Sequence, residues 1–210
     1  MSKRTLLIGG RLLFGLLTLA AIVTQLVIHI QHQFDVVNYF GYFTNLSNIF
    51  ASVVFLIGAV SLLQRREPTP SDDLIRGAAA TAMVIVGLVW FVLLRDEDLG
   101  ALLPWVNIML HVIMPVAVLA DWLYQPPKST ITWRQMGYWL IYPLVYIVYT
   151  LLRGAIVGFY PYPFLNPAKV GGYGVVTLYC IAIFVAFLIV GWLLIAAANA
   201  LKQQGALQGA

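Results

Sequence analysis

The chain has 210 residues, of which 61% are hydrophobic and 10% charged, with a formal net charge of +4. Soluble domains carry about 25% charged residues, and the mean hydropathy of +0.89 leaves too little polar surface for a water-facing fold of this size. The basic excess is not a nucleic-acid signature, because the Lys and Arg residues sit at the ends of apolar stretches, where they bear on membrane topology. Membrane lipid, and no nucleic acid, is the expected partner.

Six apolar stretches follow one another, at about 6–30, 40–63, 74–94, 101–123, 137–157 and 173–199. Each is long enough to cross the ~30 Å hydrocarbon layer as a helix. The expected fold is all-α, a polytopic transmembrane bundle of about six helices, with residues 1–210 forming a single integral membrane domain. Lys3 and Arg4 precede the first stretch as in a signal peptide, but the apolar run exceeds a 7–15-residue h-region. It is therefore read as a retained span. His29 and His32 near its end read as exposed polar residues.

The second stretch opens with YFTNLSN. Thr44, Ser47 and Asn48 stand at i, i+3 and i+4 and share a helix face, which Ser52 continues. Such residues often join membrane helices to one another, so glue and site are both open readings. RREPTPSDD and RDED bound the third stretch as loops.

The fourth stretch holds Asn107 and His111 on one face, with His111 about ten residues, or ~15 Å, from the end. It is the only histidine well inside an apolar span. Ionisable residues at such depth lean functional, and imidazole can serve as a base near neutral pH. A helix–helix hydrogen bond is the alternative. Asp121 and Trp122 read as interfacial anchors at the other end.

In the fifth stretch Tyr142, Tyr146, Tyr149 and Arg153 form a stripe at i, i+4, i+7 and i+11. Arg153 is either a snorkelling interfacial cation or a clamp for a carboxylate or phosphate. FYPYPFLNPAKVGG then reads as a rigid cap. Cys180, the only cysteine, lies in the sixth stretch and permits no intrachain disulfide. The closing KQQGALQGA reads as a short solvated tail.

An N-terminus inside puts Lys3, Arg4, Arg11, Arg65, Arg66, Arg76, Lys128, Arg134 and Lys202 on the cytoplasmic side, against Arg95, Arg153 and Lys169 opposite. The positive-inside rule thus predicts both termini in the cytoplasm.

The chain carries no G-x-S-x-G elbow, H-E-x-x-H pair, phosphate-binding loop or dinucleotide fingerprint. Three histidines and one cysteine show no metal-ligand spacing, and no cofactor is expected. What remains is a hydroxyl that needs a neighbouring base, and a deep imidazole.

FTNLSN in the second stretch, HVIMPVAVLADWL in the fourth, and WLIYPLVYIVYTLLRG followed by FYPYPFLNP resemble the androgen-induced and androgen-dependent family of multi-pass membrane threonine hydrolases. The likeness is strongest to its bacterial six-span relatives and covers most of the chain. It implies a bacterial cytoplasmic membrane and hydrolysis of fatty-acid esters of hydroxy fatty acids. It also implies a catalytic pair of Thr44 and His111. FTNLSN departs from the animal pattern around the threonine, which keeps Ser47 open as the nucleophile. In supporting roles, Asn48 would donate to the oxyanion and Asn107 would hold the His111 tautomer. Arg153 would bind a substrate carboxylate, with Tyr146 and Tyr149 beside it. The other class of function that the same residues permit is a non-enzymatic lipid-binding or transport protein.

Overall fold

A computed structural model describes residues 2–97 and 100–208, with side chains through residue 203. Every regular element among them is helical. Six helical segments are long and apolar enough to cross a membrane, so the protein is a multi-pass membrane bundle. The first span is α1 (Lys3–Gln31), and a short α2 (Val36–Tyr39) leads into the second, α3 (Phe43–Leu63). The third is α4 (Pro70–Val89) extended by a π turn, Trp90–Leu94. The fourth joins α5 (Pro104–Ile108), a π turn at Met109–Ile113, and α6 (Met114–Tyr124). The fifth is α7 (Trp133–Val157); a 3₁₀ turn at Pro163–Leu165 and α8 (Pro167–Val170) then precede the sixth, α9 (Tyr173–Gln208). With an even number of crossings both termini lie on one side, called the terminal side below; the opposite side is the far side.

Helix starts differ from the hydropathy reading where capping chemistry intervenes. Thr69 and Asp72 form a reciprocal capping box with Pro70 in the first turn, so α4 begins inside the polar PSDD stretch. Thr132 and Gln135 do the same for α7. Hydropathy assigns such residues to loops, whereas their side chains satisfy the first free N–H groups of a helix. At the other end, α9 runs through most of the stretch expected to be a solvated tail. Residues 209 and 210, and Asp98 and Leu99 of the third-to-fourth connection, lie outside the described residues.

The bundle is organised around α4, which packs on α3, α6, α7 and α9. Its GAAATAM run puts small side chains on several faces, with Gly77, Ala79, Ala80, Thr81, Ala82 and Met83 all buried. Small residues let neighbouring backbones approach where water supplies no driving force between helices. Gly77 is required: a Cβ there would lie 2.1 Å from the Trp139 ring of α7. The other tight pair is α1 with α3, across which Gly15 meets Leu56.

On the terminal side, charges are buried between helices rather than anchored at an interface. Arg11 of α1 donates to both carboxylate oxygens of Asp121, at 2.7 and 3.0 Å, and Arg76 of α4 donates to the same carboxylate at 3.0 Å. Asp121 is thus a half-buried bridge between two guanidinium groups, a role that its place at the end of an apolar stretch does not suggest. Trp122 is fully buried and donates its indole N–H to the Leu194 carbonyl.

Candidate functional site

At the far side, Thr44 is the second residue of α3 and is buried. His111 lies in the π turn of the fourth span, seven residues after Pro104, hence ~10 Å from the helix start. It is shallower than its distance from residue 101 implied, because Pro104 opens the helix. The widened turn has a local cause. Pro115 has no N–H to offer the His111 carbonyl, and its ring would clash with that carbonyl in a regular α turn. The chain relaxes to an i→i+5 bond, Met114 N–H to the Met109 carbonyl. Gly87 of α4 passes close by, where a Cβ would stand 3.3 Å from the His111 carbonyl oxygen.

The two elements bring Thr44 Oγ1 to 3.4 Å from His111 Nε2. The other ring nitrogen, Nδ1, lies 3.0 Å from the backbone carbonyl of Asn107. A carbonyl only accepts, so Nδ1 carries the proton and Nε2 presents its lone pair to the threonine hydroxyl. Trp90 stacks on the imidazole at 5.6 Å between ring centroids, 19° from parallel, and limits its rotation. The Asn107 backbone, and not its amide, therefore sets the tautomer; Asn107 Oδ1 is buried without a partner among the described residues.

A third group joins from the cap. Tyr162 Oη accepts the Thr44 backbone N–H at 3.1 Å and lies 3.2 Å from Thr44 Oγ1. With Thr44 donating to Nε2, the phenol donates to Oγ1, giving a directed chain Tyr162–Thr44–His111–Asn107 carbonyl. Burial pushes the Tyr162 phenol up to about 12, against the opposing pull of its hydrogen bonds to Thr44, so it keeps its proton and remains a donor at neutral pH. By sequence this loop reads as a rigid cap, in which nothing singles out Tyr162. The available signal was the alternation of aromatic residues and prolines in YPYPFLNP: Tyr162, Phe164 and Leu165 turn inward and are buried.

The remaining candidates separate. Ser47 donates to or accepts from Tyr142 Oη at 3.0 Å and makes no hydrogen bond to His111. Asn48 uses both amide hydrogens on backbone carbonyls, those of Thr44 at 2.9 Å and Leu110 at 3.1 Å, so it fastens α3 to the fourth span and has no hydrogen left for an oxyanion. Tyr146 accepts the Phe43 N–H and donates to the Gly41 carbonyl, which holds the start of α3 in place. Tyr149 is half-exposed on the outside of α7. Arg153 donates to Asn38 Oδ1 at 2.7 Å and stacks over Phe159, tying α7 to α2 away from the cavity. The tyrosine stripe thus braces α3 at Tyr142 and Tyr146 and leaves it at Tyr149. Among the described residues no group of three or more His, Cys, Asp or Glu side chains could hold a metal ion.

Thr44 and Tyr162 line a cavity of about 420 Å³, within the range of small-molecule sites. Its other walls are almost entirely apolar and come from α4, α7, the cap and α9. Leu144 of α7 and Ile181 and Phe184 of α9 line it and are also exposed on the lipid-facing surface, so the cavity opens sideways between the fifth and sixth spans. His111 stands behind Thr44 and does not line it. Comparison with family models, characterised proteins and solved structures finds no match.

Proposed function

We propose that the protein is a membrane-embedded hydrolase of lipid esters, with Thr44 as nucleophile and His111 as base. The observation that carries this reading is the 3.4 Å approach of Thr44 Oγ1 to a base-ready Nε2 at the wall of an apolar cavity open to lipid. The separation sits at the long end of catalytic hydrogen bonds, as substrate-free sites commonly do. The resemblance of FTNLSN and HVIMPVAVLADWL to the membrane threonine hydrolases points the same way, toward fatty-acid esters of hydroxy fatty acids in a bacterial cytoplasmic membrane; the distribution of Lys and Arg favours both termini inside.

In the proposed reaction the ester enters between α7 and α9 and lays its acyl chain along the apolar walls. His111 Nε2 takes the Thr44 proton as Oγ1 bonds to the ester carbonyl carbon. The Tyr162 phenol, a preorganised donor beside Oγ1, stabilises the oxyanion in place of Asn48. The tetrahedral intermediate collapses, the C–O bond to the alcohol breaks, and the imidazolium protonates the departing alkoxide. Water, deprotonated by the neutral His111, then attacks the acyl-threonine, and the carboxylic acid leaves as Thr44 regains its proton.

Purified protein is expected to cleave a lipid ester and to react with a fluorophosphonate probe. Thr44→Ala and His111→Ala should each abolish both while thermal unfolding stays near that of the wild type. Full turnover in either folded variant overturns the assignment of that residue. The contrasting reading, a lipid-binding or transport protein, is favoured by the apolar character of the cavity; stoichiometric lipid binding or flux that survives Thr44→Ala, with no hydrolysis by the wild type, would establish it instead.

A further inference from the structure

A second crevice, lined by arginines, lies at the opposite end of the bundle and takes no part in the chemistry above. It is small, about 90 Å³, and opens between α3 and α4 on the terminal side. Arg11, Arg66 and Arg76 all line it, together with Ser61, Asp72 and Gln125. Its rim toward the bilayer is apolar: Ile57 and Ile75 line it and are about half exposed.

The arginines are only partly engaged. Arg11 uses Nε and Nη2 on Asp121 and Gln125. Its Nη1 makes no hydrogen bond among the described residues and lies over Gly58, where a Cβ would come within 2.8 Å of it. Arg66 uses Nε and Nη2 on Ser61 Oγ and Asp72 Oδ1, and its Nη1 is likewise free of partners among the described residues. The α3 C-terminus puts it there: Arg65 adopts a left-handed φ of 57°, and the Arg65 and Arg66 N–H groups bond back to the Leu62 and Ser61 carbonyls. That turn folds Arg66 back over the end of its own helix.

The carboxylates at the crevice are already occupied. Asp72 takes Arg66 on one oxygen and the Thr69 N–H and hydroxyl on the other. Asp121 takes Arg11 and Arg76, and Asp73 accepts from Lys128 N–H and faces Arg76. Lys128 also pairs with Glu67. Arg4, which donates to the Leu62 carbonyl, and the neighbouring Arg65 complete the set, so this end of α3 and α4 holds six cations against four carboxylates.

We propose that this crevice binds the phosphate of an anionic phospholipid from the leaflet on the terminal side. The phosphate oxygens accept from Arg11 Nη1 and Arg66 Nη1, and the acyl chains descend along Ile57 and Ile75. Guanidinium groups suit phosphate geometry, and basic pockets between membrane helices are a recognised setting for lipid head groups. The surplus of positive charge selects an anionic head group over a zwitterionic one. Gly58 leaves the room in which Arg11 Nη1, on an otherwise buried side chain, meets the crevice wall.

The test is retention of lipid by the full chain. Delipidated protein in detergent is incubated with phosphatidylglycerol or phosphatidylcholine at equal mole ratio, and bound lipid is read by native mass spectrometry. Wild type is expected to retain phosphatidylglycerol preferentially. Arg66→Ala, at an exposed position that leaves the buried ion pairs intact, should lower retention about fivefold, the effect of one cation near a membrane surface. Gly58→Ala should lower it similarly, and Arg95→Ala, on the far side, should leave it unchanged. Equal retention of both lipids would mean an annular lipid only, and displacement by millimolar inorganic phosphate would mean a free-phosphate site; either overturns the proposal. So does wild-type retention in Arg66→Ala, whether or not Gly58→Ala folds.

Discussion

Thr44, His111 and Tyr162 behave as one unit because each satisfies a hydrogen-bonding capacity of the next. Two of the three were legible in the chain: a threonine in a polar stripe at a helix start, and the only deep histidine. Tyr162 was not, because a tyrosine near a membrane edge is ordinarily an interfacial residue, and nothing local distinguishes one that turns inward. The contribution of its phenol is separable from folding. Tyr162→Phe keeps the ring and its stacking on Phe164 and removes only the hydroxyl. Turnover is expected to fall about 10²–10³-fold, the usual loss for one oxyanion donor, with KM changed far less. An unchanged kcat would remove the phenol from the transition state. Ser47→Ala, whose hydroxyl faces Tyr142, serves as the control and should be close to wild type.

At the scale of elements, the geometry depends on two π turns facing one another. Trp90, which opens the first, stacks on His111, which is centred in the second. Hydropathy sees both spans as ordinary helices, since a π turn costs one extra residue and leaves no trace in composition. Pro115 is the visible cause in the fourth span. Pro115→Ala restores an N–H to face the His111 carbonyl and lets the turn tighten to α-helical spacing. Thermal stability is expected to hold or rise, while activity drops on the order of 10²-fold from a displacement of about 1 Å at the imidazole. Equal activity in this variant would show that the π turn does not position the base. The helix starts teach a related lesson: PSDD and the residues after Thr132 look like loop by polarity, yet their polarity is what caps the helices.

For the whole molecule, the far side carries the Thr44–His111–Tyr162 cluster and the terminal side a charge cluster that joins α1, α4 and α6. Removing the shared carboxylate leaves two guanidinium groups buried and facing each other. Asp121→Ala is expected to destabilise by about 3–5 kcal/mol, read as a lowered unfolding temperature in detergent; a neutral result would mean that the arginines find water or lipid phosphate instead. The cavity offers a second whole-molecule measurement. Cys180 is the only cysteine and lines it from α9. A membrane-soluble maleimide should label Cys180 and block turnover, a bound ester analogue should protect it, and a membrane-impermeant reagent should react at least tenfold more slowly if access is sideways from lipid, since lipid-facing apolar walls exclude a charged reagent. Equal rates for the two reagents would indicate an aqueous route.

Composition and hydropathy alone determined that the chain crosses a membrane about six times as helices, because twenty-residue apolar runs have few other stable arrangements in hydrocarbon. They also set Thr44, Ser47, Asn48 and His111 apart as polar groups within apolar runs, while the pairing of Thr44 with His111 is what the family resemblance implies. Tertiary structure alone decided which polar groups meet: Asn48 fastens helices, Arg153 reaches Asn38, Asp121 bridges two arginines, and Tyr162 folds in from the cap. Between membrane helices, partners are chosen by helix rotation, depth and small-residue contacts such as Gly77 on Trp139, and these depend on residues far apart in the chain. Periodicity can assign a side chain to a face, but only packing assigns that face its neighbour.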